Sequence, residues 1–133
     1  MAEPTRGLLD TSVVVDHDLV DPAPLPDESA IAAVTLAELA AGPHATKDEQ
    51  ERARRQDRLQ RAAATWDPIP FNTEAARTYG RVFAATRAAG RSSRTRIADL
   101  LTVSTAAANR LPLYTRNAAD FAGLEQIATV IAV

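Results

Sequence analysis

The order of elements along the chain predicts an α/β sandwich with a mainly parallel sheet. Two observations carry this. Short apolar runs alternate with long helix-like stretches, the pattern of strands joined by helical crossovers. Polar groups that could do chemistry also stand just past the ends of three apolar runs, where open sheets of this class place ligands. The chain has 133 residues, 46% of them apolar, which suits a single domain over 1–133 with a real core.

Taken in order, Gly7 to Asp10 reads as a short buried strand, and Thr11 and Ser12 are helix-capping types directly after it. Pro22, Pro24 and Pro26 mark a loop. Ala30 to Val34 is a second apolar run. Thr35 and Glu38 then have the spacing of a capping box, which predicts a helix starting there and stopping at Gly42-Pro43. Lys47 to Trp66 is a long helix rich in Arg, Glu and Ala, and Ile69 to Phe71 is a brief extended piece. Asn72 or Thr73 caps another helix, which runs to Ala89 and closes at Gly90. Ile97 to Ala108 is a third helix with Ile97, Leu100, Leu101 and Val103 on its apolar side. Pro112 to Thr115 and Ile127 to Val133 are the last strands, with a short helical turn between them.

Composition narrows the function classes. No apolar run reaches the ~20 residues of a membrane span. The start, Met1 to Arg6, lacks the basic and apolar segments of a secretory signal, so the expected location is the cytoplasm, with no membrane partner. The absence of cysteine fits a reducing compartment and removes thiolate metal sites, disulfides and cysteine nucleophiles. The net charge of -2 does not mark a nucleic-acid binder. Among the cations, however, only Lys47 is Lys and the rest are Arg, the better phosphate fork. The Arg bias of a GC-rich genome explains the same excess.

Elimination leaves carboxylate chemistry. The chain has no phosphate-binding Gly-rich loop ending in Lys-Ser or Lys-Thr and no GxGxxG. His17 and His44 are not at a zinc-helix spacing and read as surface residues. Oxygen ligands suit Mg²⁺, or Mn²⁺ in its place. Asp10 follows two leucines at a strand end, where an ionised carboxylate is costly unless paired or metal-bound; a helix N-cap explains it equally well. Glu38 has the capping box as its alternative, and Asp99 a favourable place in the first turn of a helix. Asn117 and Asp120, three apart, share a face if their turn is helical; otherwise they are a loop Asn and a capping Asp. Together these residues suggest a cation pocket, because clustered carboxylates repel and a divalent ion relieves the repulsion.

Four segments resemble the motifs of PIN domains. They are Leu8-Leu9-Asp10-Thr11-Ser12-Val13-Val14-Val15, Thr35-Leu36-Ala37-Glu38-Leu39-Ala40-Ala41-Gly42, Arg96-Ile97-Ala98-Asp99-Leu100-Leu101-Thr102-Val103, and Tyr114-Thr115-Arg116-Asn117-Ala118-Ala119-Asp120-Phe121. The chain is most similar to the small VapC-type toxins of VapBC toxin–antitoxin pairs. The resemblance implies a PIN-like three-layer α/β/α sandwich and a Mg²⁺- or Mn²⁺-dependent endoribonuclease that leaves a 5′-phosphate and a 3′-hydroxyl. It makes Asp10, Glu38 and Asp99 the metal ligands and catalytic acids, with Thr11 or Ser12 holding a water or the Asp10 carboxylate. The fourth acidic place departs from the family: Asn117 stands where many relatives carry Asp, and Asp120 is the other candidate. The resemblance also implies a homodimer, a VapB-like antitoxin and a larger toxin–antitoxin assembly. Arg94, Arg96 and Arg116 flank the motif residues and are the candidates for RNA phosphate.

Two other readings compete. One is a catalytically weak PIN-fold module that acts mainly by docking a partner, with the acidic pocket receiving an Arg. The other is a phosphatase with an aspartyl nucleophile. That reading wants a second Asp where Ser12 stands, and an assisting Lys.

Overall fold

The structure is a computed structural model that describes residues 3, 5–94 and 96–133. Met1, Ala2 and Pro4 of the N-terminal segment, where a secretory signal would stand, lie outside the described residues. The elements follow the order β1 (Arg6–Leu9), α1 (Thr11–Val15), β2 (Glu28–Ala30), α2 (Ala33–Ala41), α3 (Glu49–Thr65), α4 (Thr73–Ala88), α5 (Ile97–Ala108), β3 (Leu113–Thr115) and β4 (Val130–Ala132). The four strands form one sheet in the order β2-β1-β3-β4, and every pairing is parallel. This is the expected α/β class.

Side-chain alternation along the central strands makes the layers. Leu8 and Leu113 point to one face and pack with Val82 of α4 and Leu100, Val103 and Ala106 of α5. Leu9 and Tyr114 point to the other, against Val13 and Val14 of α1, Leu39 of α2 and Ala62 of α3. Each fully buried Leu or Val contributes roughly 1.5–3 kcal/mol, so both helical layers are held firmly to the sheet. Gly7 is needed for this fit, because a Cβ there would collide with the Tyr114 ring.

Caps fall partly where the sequence places them. Asn72 accepts from the Ala75 amide at 3.0 Å and starts α4. Asp48 does the same for α3 with the Gln50 amide at 2.9 Å, so α3 begins two residues later than Lys47. The helix before Gly42-Pro43 is the exception. It starts at Ala33, not at Thr35, and its N-cap Ala32 offers no side-chain bond. The expected capping box does not form, and Thr35 and Glu38 are released for other partners. The second strand also lies earlier than Ala30 to Val34, at Glu28–Ala30. Ile31 and Ala32 turn inward instead, and Ala32 bridges Ile69 of the brief extended piece.

Candidate active site

β1 and β3 are adjacent and parallel, so their carboxyl ends emerge side by side, with Leu9 opposite Tyr114. The next residues are Asp10 and Thr115. Asp10 is only 4% exposed, and its amide continues the ladder to the Tyr114 carbonyl at 2.8 Å. Its side chain makes no helix-cap bond. Instead Oδ2 accepts from Ser12 Oγ at 2.8 Å and from Thr115 Oγ1 at 2.8 Å. Among the described residues nothing donates to Oδ1, which leaves that oxygen for an external ligand. Both hydroxyls are themselves fixed: Ser12 Oγ accepts from the Arg116 amide at 3.2 Å, and Thr115 Oγ1 from the Asn117 amide at 3.0 Å.

Glu38 projects from the middle of α2 toward the start of α1. Thr11 Oγ1 donates to Glu38 Oε1 at 2.7 Å and lies 2.9 Å from Thr35 Oγ1. A hydroxyl has one proton, so Thr35 must be the donor in the second bond. The chain Thr35 to Thr11 to Glu38 thus orients a carboxylate that is otherwise exposed.

Asp99 sits in the first turn of α5, carried there by the buried Leu100 and Val103 beside it. It is half-buried and takes no hydrogen bond from any described residue. Its carboxyl is pushed up to about 6, first by burial and then by the negative charges of Asp10, Glu38 and Asp120, with Arg96 opposing. The four carboxylates therefore share one field, although they come from four parts of the chain.

Asp120 is held by a cation instead. Arg96 Nη1 pairs with its Oδ1 at 2.9 Å and donates to its carbonyl at 3.2 Å. Asn117 is exposed, and its side-chain amide bonds no described residue. The turn after it, Ala118–Phe121, is a short 3-10 helix whose N-cap is Asn117. Of the phosphate candidates, Arg96 is occupied by Asp120, and Arg116 pairs with Asp16 at 2.8 Å. Arg94 lies in a surface cavity with Phe83, Arg87 and Arg91 that none of these carboxylates lines.

The donor set is hard oxygen, which fits a small divalent cation. Among the described residues no three acidic or histidine side chains converge tightly enough to surround an ion directly. Asp10, Glu38 and Asp120 are close enough to raise Asp99. Mg²⁺ keeps several of its own waters and needs only one or two carboxylates to hold it. Thr115 and Thr35 are the functional residues that sequence reading missed. Thr115 could have been found from parallel pairing alone, since the residue after Tyr114 must stand beside Asp10. Thr35 was hidden by the capping-box spacing.

Residues 8–125 match the PIN domain family. The chain belongs to the PIN-domain family. This PIN domain is 37% identical over 130 residues to Ribonuclease VapC5 of Mycobacterium tuberculosis, covering 96% of this chain and 93% of that one. Ribonuclease VapC8 of the same species is 36% identical over 75% of this chain and 89% of its own. In structure, the domain superposes with a TM-score of 0.85 on a chain of VapBC-5, a VapBC toxin–antitoxin member from M. tuberculosis, covering 98% of this chain and 100% of that one at 36% identity. The VapBC2 structure from Rickettsia felis, at 22% identity and a TM-score of 0.75, covers 97% of this chain and 99% of that one and shows the same fold. The resemblance to VapC-type PIN domains, and the three-layer sandwich it implied, are borne out.

Proposed function

We propose that this PIN domain is the toxin half of a type II toxin–antitoxin pair and acts as a Mg²⁺-dependent endoribonuclease, with Mn²⁺ as a substitute. The observation that carries this reading is the gathering of Asp10, Glu38 and Asp99 at the carboxyl end of the sheet, where burial first and the neighbouring carboxylates second push Asp99 up to about 6. Both alternatives for the first two residues are gone: Asp10 makes no cap bond, and Glu38 is in no capping box. The helix-cap roles therefore account for neither carboxylate. The named relatives, a ribonuclease and a member of a toxin–antitoxin complex, support the same reading.

The reaction is hydrolysis of an RNA phosphodiester. A water attacks phosphorus, the bond to the ribose 3′-oxygen breaks, and a 5′-phosphate and a 3′-hydroxyl result. Asp10, Asp99 and Glu38 would hold the cation, with Asn117 or Asp120 at the fourth place. When bound, the cation would neutralise phosphate charge and acidify the attacking water. The protein's own part is positional. Ser12 and Thr115 fix the rotamer of Asp10, Thr11 fixes that of Glu38, and Arg96 keeps Asp120 turned to the site rim. Arg116 reaches substrate by exchanging Asp16 for phosphate, which is cheap because an exposed pair is worth only about 0–1 kcal/mol.

The partner is a VapB-like antitoxin in the cytoplasm, and the toxin is a homodimer within that assembly. The exposed Leu19 and Ile97 side chains supply apolar surface for it. Among the described residues no helix is long and apolar enough to cross a membrane. The test is to incubate purified protein with total RNA and Mg²⁺ and sequence the new 5′-ends. Cuts that vanish with a chelator and in Asp99→Asn support the proposal. Undiminished cutting by Asp99→Asn would defeat the mechanism, and no cutting by the parent chain would defeat the function.

A further inference from the structure

α3 turns one side toward α1. Arg55, Arg58, Arg61, Ala62 and Thr65 fall within about a third of its circumference at 3.6 residues per turn. Two cavities open along that side. One, of about 300 Å³, holds Thr11, Glu38, Arg55 and Arg58. The other, of about 370 Å³, runs past Val14, Val15, Arg58 and Ala62 to Trp66. Val15 and Arg58 line both, so the two make one groove leading from Glu38 to Trp66.

The cations in this groove differ in their commitments. Arg55 is held by the Gly42 carbonyl at 2.9 Å and by Glu51 at 3.4 Å. Arg58 is half-buried, yet it makes no hydrogen bond, ion pair or ring contact with any described residue. A guanidinium carries five donors, and removing it partly from water without a partner is unfavourable. Something outside the chain is the natural acceptor. Among the described residues the outer cavity has one carboxylate, Asp18, against Arg58 and Arg61, so its charge favours an anion. A strand cut beside Glu38 must also leave the acidic site, and Arg58 is the first unpaired cation in the adjoining cavity.

We propose that Arg58 is a substrate-binding residue that grips an RNA phosphate next to the cut, and that the groove beyond it carries the departing strand. This rests on the ribonuclease reading above. The grip supplies no chemistry. It fixes the register of the strand against the carboxylates, and a single bidentate contact is enough for that.

The test measures binding in the Asp99→Asn background, where cleavage does not interfere. A short fluorescein-labelled single-stranded RNA of mixed sequence is titrated at stepped salt against the parent, Arg58→Ala, Arg58→Gln and Arg58→Lys. Thermal midpoints confirm folding, and Arg58→Gln serves if Arg58→Ala does not fold. The expected result for Ala or Gln is an affinity about tenfold weaker and a salt slope shallower by about 0.7, the loss of one phosphate contact on a single strand. Arg58→Lys should keep the slope and recover part of the affinity. An unchanged slope in Ala or Gln overturns the proposal. So does loss of co-purifying antitoxin with RNA binding intact, which would make the groove a protein-docking surface. If wild type cleaves RNA but Arg58→Ala binds it normally, only this inference fails. If the parent neither binds nor wild type cleaves RNA, the ribonuclease reading fails with it.

Discussion

Two carboxylates on opposite walls of the site are held in contrasting ways. Asp10, on the sheet wall, is almost wholly buried and is clamped by two hydroxyls on one oxygen. Asp99, on the α5 wall, is less buried but has no hydrogen bond from a described residue, and it is pushed up to about 6. At Asp99 burial and the neighbouring carboxylates both disfavour the charged form, and no donor from a described residue offsets them, so an incoming cation would relieve the charge.

That contrast can be broken from either side. The largest effect should come from Asp99→Asn, which removes a proposed cation ligand and its charge; RNA cleavage should fall by about a thousandfold or more while the thermal midpoint holds or rises. A drop in midpoint would show that Asp99 was structural. Thr115→Val should act the opposite way. It strips a donor from a buried carboxylate and leaves Asp10 half-satisfied, at a cost of about 1–3 kcal/mol by denaturant unfolding. No loss of stability there would mean that Ser12 alone suffices.

The pH dependence of the cation-free protein sharpens the same contrast. Asp99 is raised from 3.8 to about 6, so the folded state holds a proton that the unfolded state has already released between those values. Stability is therefore full below about pH 4 as far as this group is concerned, and declines as pH rises through about 6, by about 3 kcal/mol at most and less because solvent screens this half-exposed carboxyl. Saturating Mg²⁺ should flatten that decline, and calorimetry should show the cation binding more tightly above pH 6 than below it. A slope that Mg²⁺ leaves untouched would separate the Asp99 field from cation binding. Smaller still is Thr11→Val, which frees an exposed Glu38. It should cost under about 1 kcal/mol of stability and lower cleavage about fivefold to tenfold, because Glu38 keeps its charge and loses only its orientation. Asn117→Asp should tighten Mg²⁺ binding modestly and destabilise the cation-free protein slightly, by adding a like charge to the rim.

Much of the fold was legible because its signals are local. Asn72 caps α4 as its side chain and position predicted, and the run around Leu100 and Val103 buries as a helix face. Thr35 and Glu38 show where local signals fail. Their spacing satisfies a capping box, yet the chain enters α2 two residues earlier. Ala32 is tied to Ile69 there, a contact far away in sequence that no local pattern encodes. Arg96 and Arg116 show the same limit for function. Both flank motif residues, but their nearest acids, Asp120 and Asp16, are set by the fold.

The sequence by itself determined which residue types could do chemistry and which machinery was absent. It also determined the strand–helix alternation that puts Asp10, Glu38, Asn117 and Asp120 just past the ends of strands. These follow from composition, periodicity and motif order, which are properties of the chain as a line. Tertiary structure alone decided that Asp10 is clamped and Asp99 is bare, that Thr11 serves Glu38, and that Arg58 is left unpaired beside it. The reason is that hydrogen bonds, burial and mutual repulsion act over a few ångströms, and only the folded chain brings Ser12 to Thr115, or Asp99 to Asp10, within that range.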